Sequence, residues 1–433
     1  MKGHKTGWIA VIITVAIFLA STIGFASSSI AGTKIVVALR SLPETDYIME
    51  RVSEFKESTG VEVQFVIFPE LELRQKQILD ATTGAGAYDV LALDGGYVPE
   101  FAAADWIVPL NDYVDPKWDV KDILPKYRDF LSVGDKLYGL PVYGEVTHLM
   151  YRKDVFDAQG LNPPETIDEM VEIAKKLTNP PSMYGIAMRG KRGDGMNIYT
   201  WTQFLRSYGG DFWTDDGKCV FNSQAGIEAT EVYADILREY GPPGCASYTW
   251  DDVQTSFMTG KVAMIIDASN FFTRIEDTSK SAIAGNIGYA MVPAGPAGRY
   301  PGIYAMGFSI SSIGAKTEKE RKAAAEFIQW ATSKGMEKRK ALDGIISVTR
   351  ESVFNDADFQ ARYGAYNGWL ESTNQSIKEA MAEYRPRIPE WREIGNLIGI
   401  AVEEAIAGIK APEAALNEAA KAGDEVFSAT RRR

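Results

Sequence analysis

Only two histidines, His4 and His148, and two cysteines, Cys219 and Cys245, occur in the 433 residues. A His-rich metal centre is therefore excluded, and His-based catalysis would have to run through His148. His148 sits in an apolar segment before Leu149 and Met150 and reads as a structural side chain. Two cysteines without histidine partners do not make a metal site either, so no metal and no cofactor is expected. No phosphate-binding Gly-x-x-x-x-Gly-Lys-Ser/Thr loop occurs. Gly-x-Ser-x-Gly is absent, and no Gly-x-Gly-x-x-Gly follows a strand. Among 58 acidic residues nothing singles out a catalytic carboxylate pair. What the chain does offer is aromatic and polar side chains. Trp201, Phe204, Tyr208, Phe212 and Trp213 cluster around Gly209 and Gly210. Aromatic faces stack on the apolar faces of sugar rings, while Asp, Asn and Arg give fork-like hydrogen bonds to hydroxyls. Core packing is the plainer alternative for each of these rings.

The elements that must position such residues follow from periodicity. Thr33 to Leu39 is a β-branched run and predicts a buried strand. A helical pattern through Tyr47, Ile48, Val52 and Phe55 ends at Gly60. A strand from Val61 to Ile67, a helix around Leu73 to Leu79 and a strand from Asp89 to Leu93 follow. Alternating β and α predicts a parallel sheet covered by helices, an α/β fold. In such sheets ligands sit at the carboxyl ends of strands, here Arg40 to Pro43, Phe68 to Glu70 and Asp94 to Tyr97, with Arg40, Asp94 and Tyr97 the expected contacts. A second α/β unit begins near residue 145. It holds helices at 167–177 and 223–239, a strand over 260–267 and an amphipathic helix over 318–332, and helix dominates the C-terminal third.

The formal charge of −12 disfavours a nucleic-acid partner. At the N-terminus, Lys2 and Lys5 precede an apolar run from Trp8 to Ala20, and small residues follow to Ala31. Residues 1–31 are expected to be a cleaved secretory signal, with no cysteine for a lipid anchor; an uncleaved membrane anchor over Gly7 to Ala26 is the alternative. Export places Cys219 and Cys245 in an oxidising compartment, where an even pair is expected to bridge; two buried thiols are the alternative.

Gly139-Leu140-Pro141, Leu149 to Phe156 and Gly160 to Thr166 together resemble the signature of family 1 extracellular solute-binding proteins. These capture substrate for carbohydrate ABC importers, and the group includes maltose-binding protein. Phe257 to Met264 and Ala323 to Ser333 are similar to two further family segments. Thr349 to Val353 and Arg385 to Trp391 look most like the subgroup handling monosaccharides and sugar alcohols. The resemblance implies the two-lobed periplasmic-binding-protein fold (type II), with discontinuous lobes joined by three crossovers. The first lobe would take residues 32–144 and 270–309, the second 145–269 and 310–433. Crossovers are expected at Tyr143 to Thr147, Asp267 to Phe271 and Phe308 to Gly314. By the same resemblance Glu145, Asn270, Phe271, Asp94, Tyr97, Asn197 and Trp201 fall at ligand-contacting positions. Trp391 falls one helical turn before a stacking position, which is Gly395 here. Asp267 is expected to clamp hydroxyls from the second crossover.

The resulting expectation is a non-enzymatic, monomeric periplasmic receptor. It would capture a neutral sugar or sugar alcohol and deliver it to an inner-membrane ABC permease. The alternative is an exported carbohydrate-active hydrolase or lyase.

Overall fold

The β-branched and apolar runs form the strands, and one of them ties the molecule together. The computed structural model describes residues 30–193 and 195–431, so the expected signal segment lies outside the described residues apart from Ile30 and Ala31. The strands are β1 (Lys34–Leu39), β2 (Glu62–Ile67), β3 (Val90–Asp94), β4 (Ile107–Val108), β5 (Ser132–Val133), β6 (Lys136–Leu137), β7 (Leu140–Arg152), β8 (Tyr184–Ala187), β9 (Val262–Ala268), β10 (Ile287–Ala290) and β11 (Ile303–Ser311). The main sheet runs in the order β2-β1-β3-β11-β7-β9-β8, with β10 also on β7 and β4 on β11. β1 pairs parallel with β2 and β3, and β8 pairs parallel with β9, as βα alternation requires.

β7 does the joining. Its first half pairs with β11, from Leu140 opposite Phe308 to Val146 opposite Ile303. Its second half pairs with β9, from Thr147 opposite Ala268 to Tyr151 opposite Met264. Glycine lets neighbours close on this crossing strand. A Cβ on Gly144 would lie 2.8 Å from the Tyr127 ring and 2.9 Å from Thr349 Cγ2.

Two α/β lobes result, each with its own apolar core. One core joins Ile35, Val37, Leu91 and Phe308 to Phe327 and Ile328 of the helix Glu318–Ala331. That helix starts cleanly, because Thr317 and Glu320 cap each other's backbone N–H groups. The other lobe holds two apolar clusters, one around Ile186, Phe204, Tyr233 and Ile398, the other around Ile265, Phe272, Ile287 and Trp369.

The lobe boundaries differ from the sequence expectation. Residues 272–290 belong with the second lobe: Phe272, Ile275 and Ile287 fill its core, and β10 pairs with the second half of β7. The chain returns to the first lobe between β10 and β11, not at Asp267 to Phe271. Residues 315–331 stay in the first lobe, where Phe327 packs against Phe55 at 5.6 Å. The transfer expected at Phe308 to Gly314 therefore follows Ala331. Apolar residues were assigned to the wrong lobe because their periodicity says that they are buried, not against which sheet.

Candidate functional site

Strand ends and the crossing strand converge on one cleft of about 1550 Å³. Tyr143 and Glu145 sit two residues apart on β7, hence on one face. Tyr143 Oη donates to the Glu145 carboxylate, and Asn270 Nδ2 donates to Tyr143 Oη. The Tyr143 ring meets Tyr304 edge-on at 5.7 Å, and Arg40 Nη2 donates to Tyr304 Oη at 3.5 Å. At the end of β3, Asp94 Oδ1 accepts from Gly96 N at 2.8 Å and shapes the turn that carries Tyr97. The Arg74 guanidinium lies 3.7 Å from the centre of the Tyr97 ring and pairs with Glu100.

The second lobe contributes Arg189, two residues beyond the end of β8. Because β8 and β9 are parallel with Ala187 opposite Ile265, Arg189 comes level with Asp267. Its Nε donates to Asp267 Oδ1 and Oδ2 at 3.1 and 3.0 Å, Nη2 donates to Oδ1, and Nη1 donates to the Gly195 carbonyl at 2.7 Å. The guanidinium lies over the Tyr199 ring at 4.5 Å.

Burial sets the electrostatics. It pushes the Glu145 carboxyl up to about 7; Arg189 and the Tyr143 hydrogen bond pull the other way but do not prevail. For Arg189 burial opposes the charge, yet the Asp267 carboxylate outweighs it and the guanidinium is held charged. The buried polar atoms of cleft residues with no hydrogen-bond partner among the described residues include Tyr199 Oη, Asn270 Oδ1 and Gln254 Oε1.

Of the residues singled out from sequence, Arg40, Asp94, Tyr97, Glu145, Asn270 and Phe271 line this cleft. Four others do not, and their assignment as ligand contacts is corrected. Trp201 is fully buried in the second-lobe core, with Nε1 donating to Thr230 Oγ1 at 3.0 Å. Trp391 packs edge-on against Phe212 at 4.9 Å in the same core. Asn197 is buried, its Nδ2 tying the carbonyls of Gly190 and Gly399 at 3.1 and 2.8 Å. Asp267 is fully buried and grips Arg189 rather than lining the cleft. The expected bridge is absent as well: Cys219 and Cys245 are free, buried thiols, and Cys245 Sγ donates to the Leu237 carbonyl at 3.2 Å. His148 is fully buried, and burial lowers its imidazole to about 3, so it is neutral.

Sequence reasoning missed Arg189, Tyr143, Tyr199 and Gln254. Arg189 follows a strand of a parallel pair, the positional signal that selected Arg40 and Asp94. It went unused because the short strand Tyr184–Ala187 was not identified. Among the described residues no cluster of metal-ligating side chains occurs, and no helix is long and apolar enough to cross a membrane.

Comparison with known proteins agrees with this fold. Residues 41–338 match the family model described as bacterial extracellular solute-binding protein. The chain is 29% identical over 390 residues to a mannitol-binding protein of Pseudomonas aeruginosa, covering 85% of this chain and 87% of the relative. Among solved structures, it resembles an ABC transporter solute-binding protein from Agrobacterium radiobacter K84 in complex with ribitol, with a TM-score of 0.84 and 30% identity, over 92% of this chain and 100% of the other. A counterpart from Agrobacterium vitis S4 with bound D-mannitol gives a TM-score of 0.81 at 29% identity, over 92% and 99% of the two chains.

Proposed function

Because this chain belongs to the bacterial extracellular solute-binding protein family, we propose that it is the substrate-capturing component of an ABC importer for a neutral sugar alcohol or small sugar. It works outside the inner membrane as a monomer and passes its ligand unchanged to the permease. The observation that carries the ligand class is the presence at the cleft of buried, unpartnered oxygens, among them Tyr199 Oη, Asn270 Oδ1 and Gln254 Oε1. A buried polar group left unmade costs about 1–3 kcal/mol, so each favours a partner that brings hydroxyls. A hydroxyl both donates and accepts, which suits a cleft mixing carboxyl, amide, phenol and guanidinium groups. The Trp side chains best placed in sequence for stacking lie in the core, which fits an open-chain polyol better than a long sugar chain. Mannitol and ribitol are what the named relatives bind.

Closure follows from where the contacts originate. Arg40 and Asp94 come from the first lobe, Arg189 from the second, and Glu145 from the strand that joins them. A ligand touching all of them binds the closed form better than the open one, and this difference is what shifts the population. The hydrolase or lyase alternative finds no support among the relatives, which are binding proteins. Titration calorimetry with mannitol, ribitol, erythritol, maltose, an amino acid and a uronate, with chromatography of the recovered ligand, tests the proposal. Tight binding of a polyol recovered intact is expected; turnover, or binding of the amino acid alone, would overturn it.

A further inference from the structure

Arginine carries five N–H donors in a rigid fork. In Arg189, Asp267 takes Nε–H and one N–H of Nη2, and the Gly195 carbonyl takes one of Nη1. Two N–H groups are left, one on each terminal nitrogen. The side chain that carries them is 7% exposed and lines the cleft. Its plane lies over Tyr199, whose Oη is buried without a partner among the described residues. Glu145, on the crossing strand, feels the Arg189 charge.

We infer, resting on the function proposed above, that Arg189 sets the hydroxyl pattern the cleft accepts: its two remaining N–H groups donate to a pair of oxygens on adjacent carbons of the ligand, and Asp267 is the positioning residue that holds the fork for them. A carboxylate would match the same fork. Asp267 already balances the guanidinium, however, so a ligand anion would meet a fork whose charge is neutralised, and the nearby Glu145 and Arg40 are of opposite sign. A vicinal diol brings no charge, and its protons find acceptors in Glu145 and Asn270 Oδ1. Without Asp267 the long Arg189 side chain regains rotamer freedom and its selectivity goes with it.

The test is titration calorimetry of the mature chain with D-mannitol, with three dideoxy analogues that lack the hydroxyls at C1 and C6, at C2 and C5, or at C3 and C4, and with D-mannonate. Mannitol is two-fold symmetric, so removing symmetry-related pairs leaves no orientation in which the missing hydroxyl is restored, and three analogues sample every position. In the wild type, the analogues that lack a hydroxyl of the pair held by Arg189 should bind at least about tenfold more weakly, the scale of one hydrogen bond to a charged group. In Arg189→Lys and in Asp267→Asn the ratio between mannitol and those analogues should fall towards one. A merely structural role for Asp267 would lower the melting temperature and leave that ratio in place. Should Asp267→Asn fail to fold, Arg189→Lys keeps the charge and carries the comparison, and the wild-type analogue series stands by itself. Equal affinity for mannitol and all three symmetric analogues, an unchanged ratio in Arg189→Lys, or tighter binding of D-mannonate than of mannitol would overturn the inference. Failure to bind any polyol would instead overturn the proposed function, and this inference with it.

Discussion

Tyr143 and Glu145 stand two residues apart on β7 and share one hydrogen bond, the phenol donating to the carboxylate. The pair sits where the crossing strand leaves the first lobe, so a buried acid of the cleft lies beside the link between the lobes. Asn270 extends the contact by donating to the same phenol. A hydrogen bond accepted by the carboxylate favours its charged form, but burial outweighs it and holds Glu145 at about 7 against an ordinary 4.5.

The stability of the ligand-free protein should carry this signature. The folded state binds the Glu145 proton more tightly than the unfolded state does. Its contribution is therefore full below about pH 4.5 and is lost as pH rises through about 7. Glu145→Gln has no such proton to lose. Relative to the wild type it should gain stability between pH 5 and pH 8, by at most about 3 kcal/mol. Denaturant unfolding at both pH values measures the difference, and parallel pH dependence in the two proteins would contradict it.

Tyr199→Phe isolates a binding contact from a structural one. The Tyr199 hydroxyl makes no hydrogen bond among the described residues, so its removal takes none from the fold. Melting temperature should stay level or rise slightly. Affinity for the polyol should drop about threefold to tenfold, the scale of one neutral hydrogen bond. Calorimetry beside a thermal melt gives both numbers.

For Trp201→Phe the opposite pattern is expected. The indole N–H donates to Thr230 Oγ1 inside the second-lobe core. Loss of that bond and of buried volume should cost about 1–3 kcal/mol. Ligand affinity should be unchanged once the protein is folded. A tenfold loss of affinity without loss of stability would return Trp201 to the binding site.

The two thiols should label only upon unfolding. Burial, aided by the neighbouring Asp424, pushes Cys219 up to about 12, and burial pushes Cys245 up to about 11. Since the thiolate is the reactive form, both are inert in the native protein. Mass spectrometry after alkylation in denaturant without reductant should find two labelled cysteines. Finding none would restore the bridge expected from the compartment.

Local pattern determined a good part of this protein. The β-branched run of β1, the apolar run of β9 and the Thr317-capped helix are legible because strand and helix periods depend on neighbours in sequence. The strand-end rule picked out Arg40, Asp94 and Tyr97, since a parallel sheet presents its carboxyl ends to one side whatever its other partners. Tertiary structure alone decided the fate of each amphipathic side chain. Trp201 and Trp250 are the same residue type, yet one fills the second core and the other lines the cleft, because a ring is buried by whichever elements pack over it. The lobe assignments of Phe272 and Phe327 are of the same kind, as an apolar face requires burial but does not name its sheet. The sharpest case is Asp267. Its place at the end of a buried strand was readable, but its partner was not, because Arg189 meets it only through the parallel register of β8 on β9, 78 residues apart in the chain.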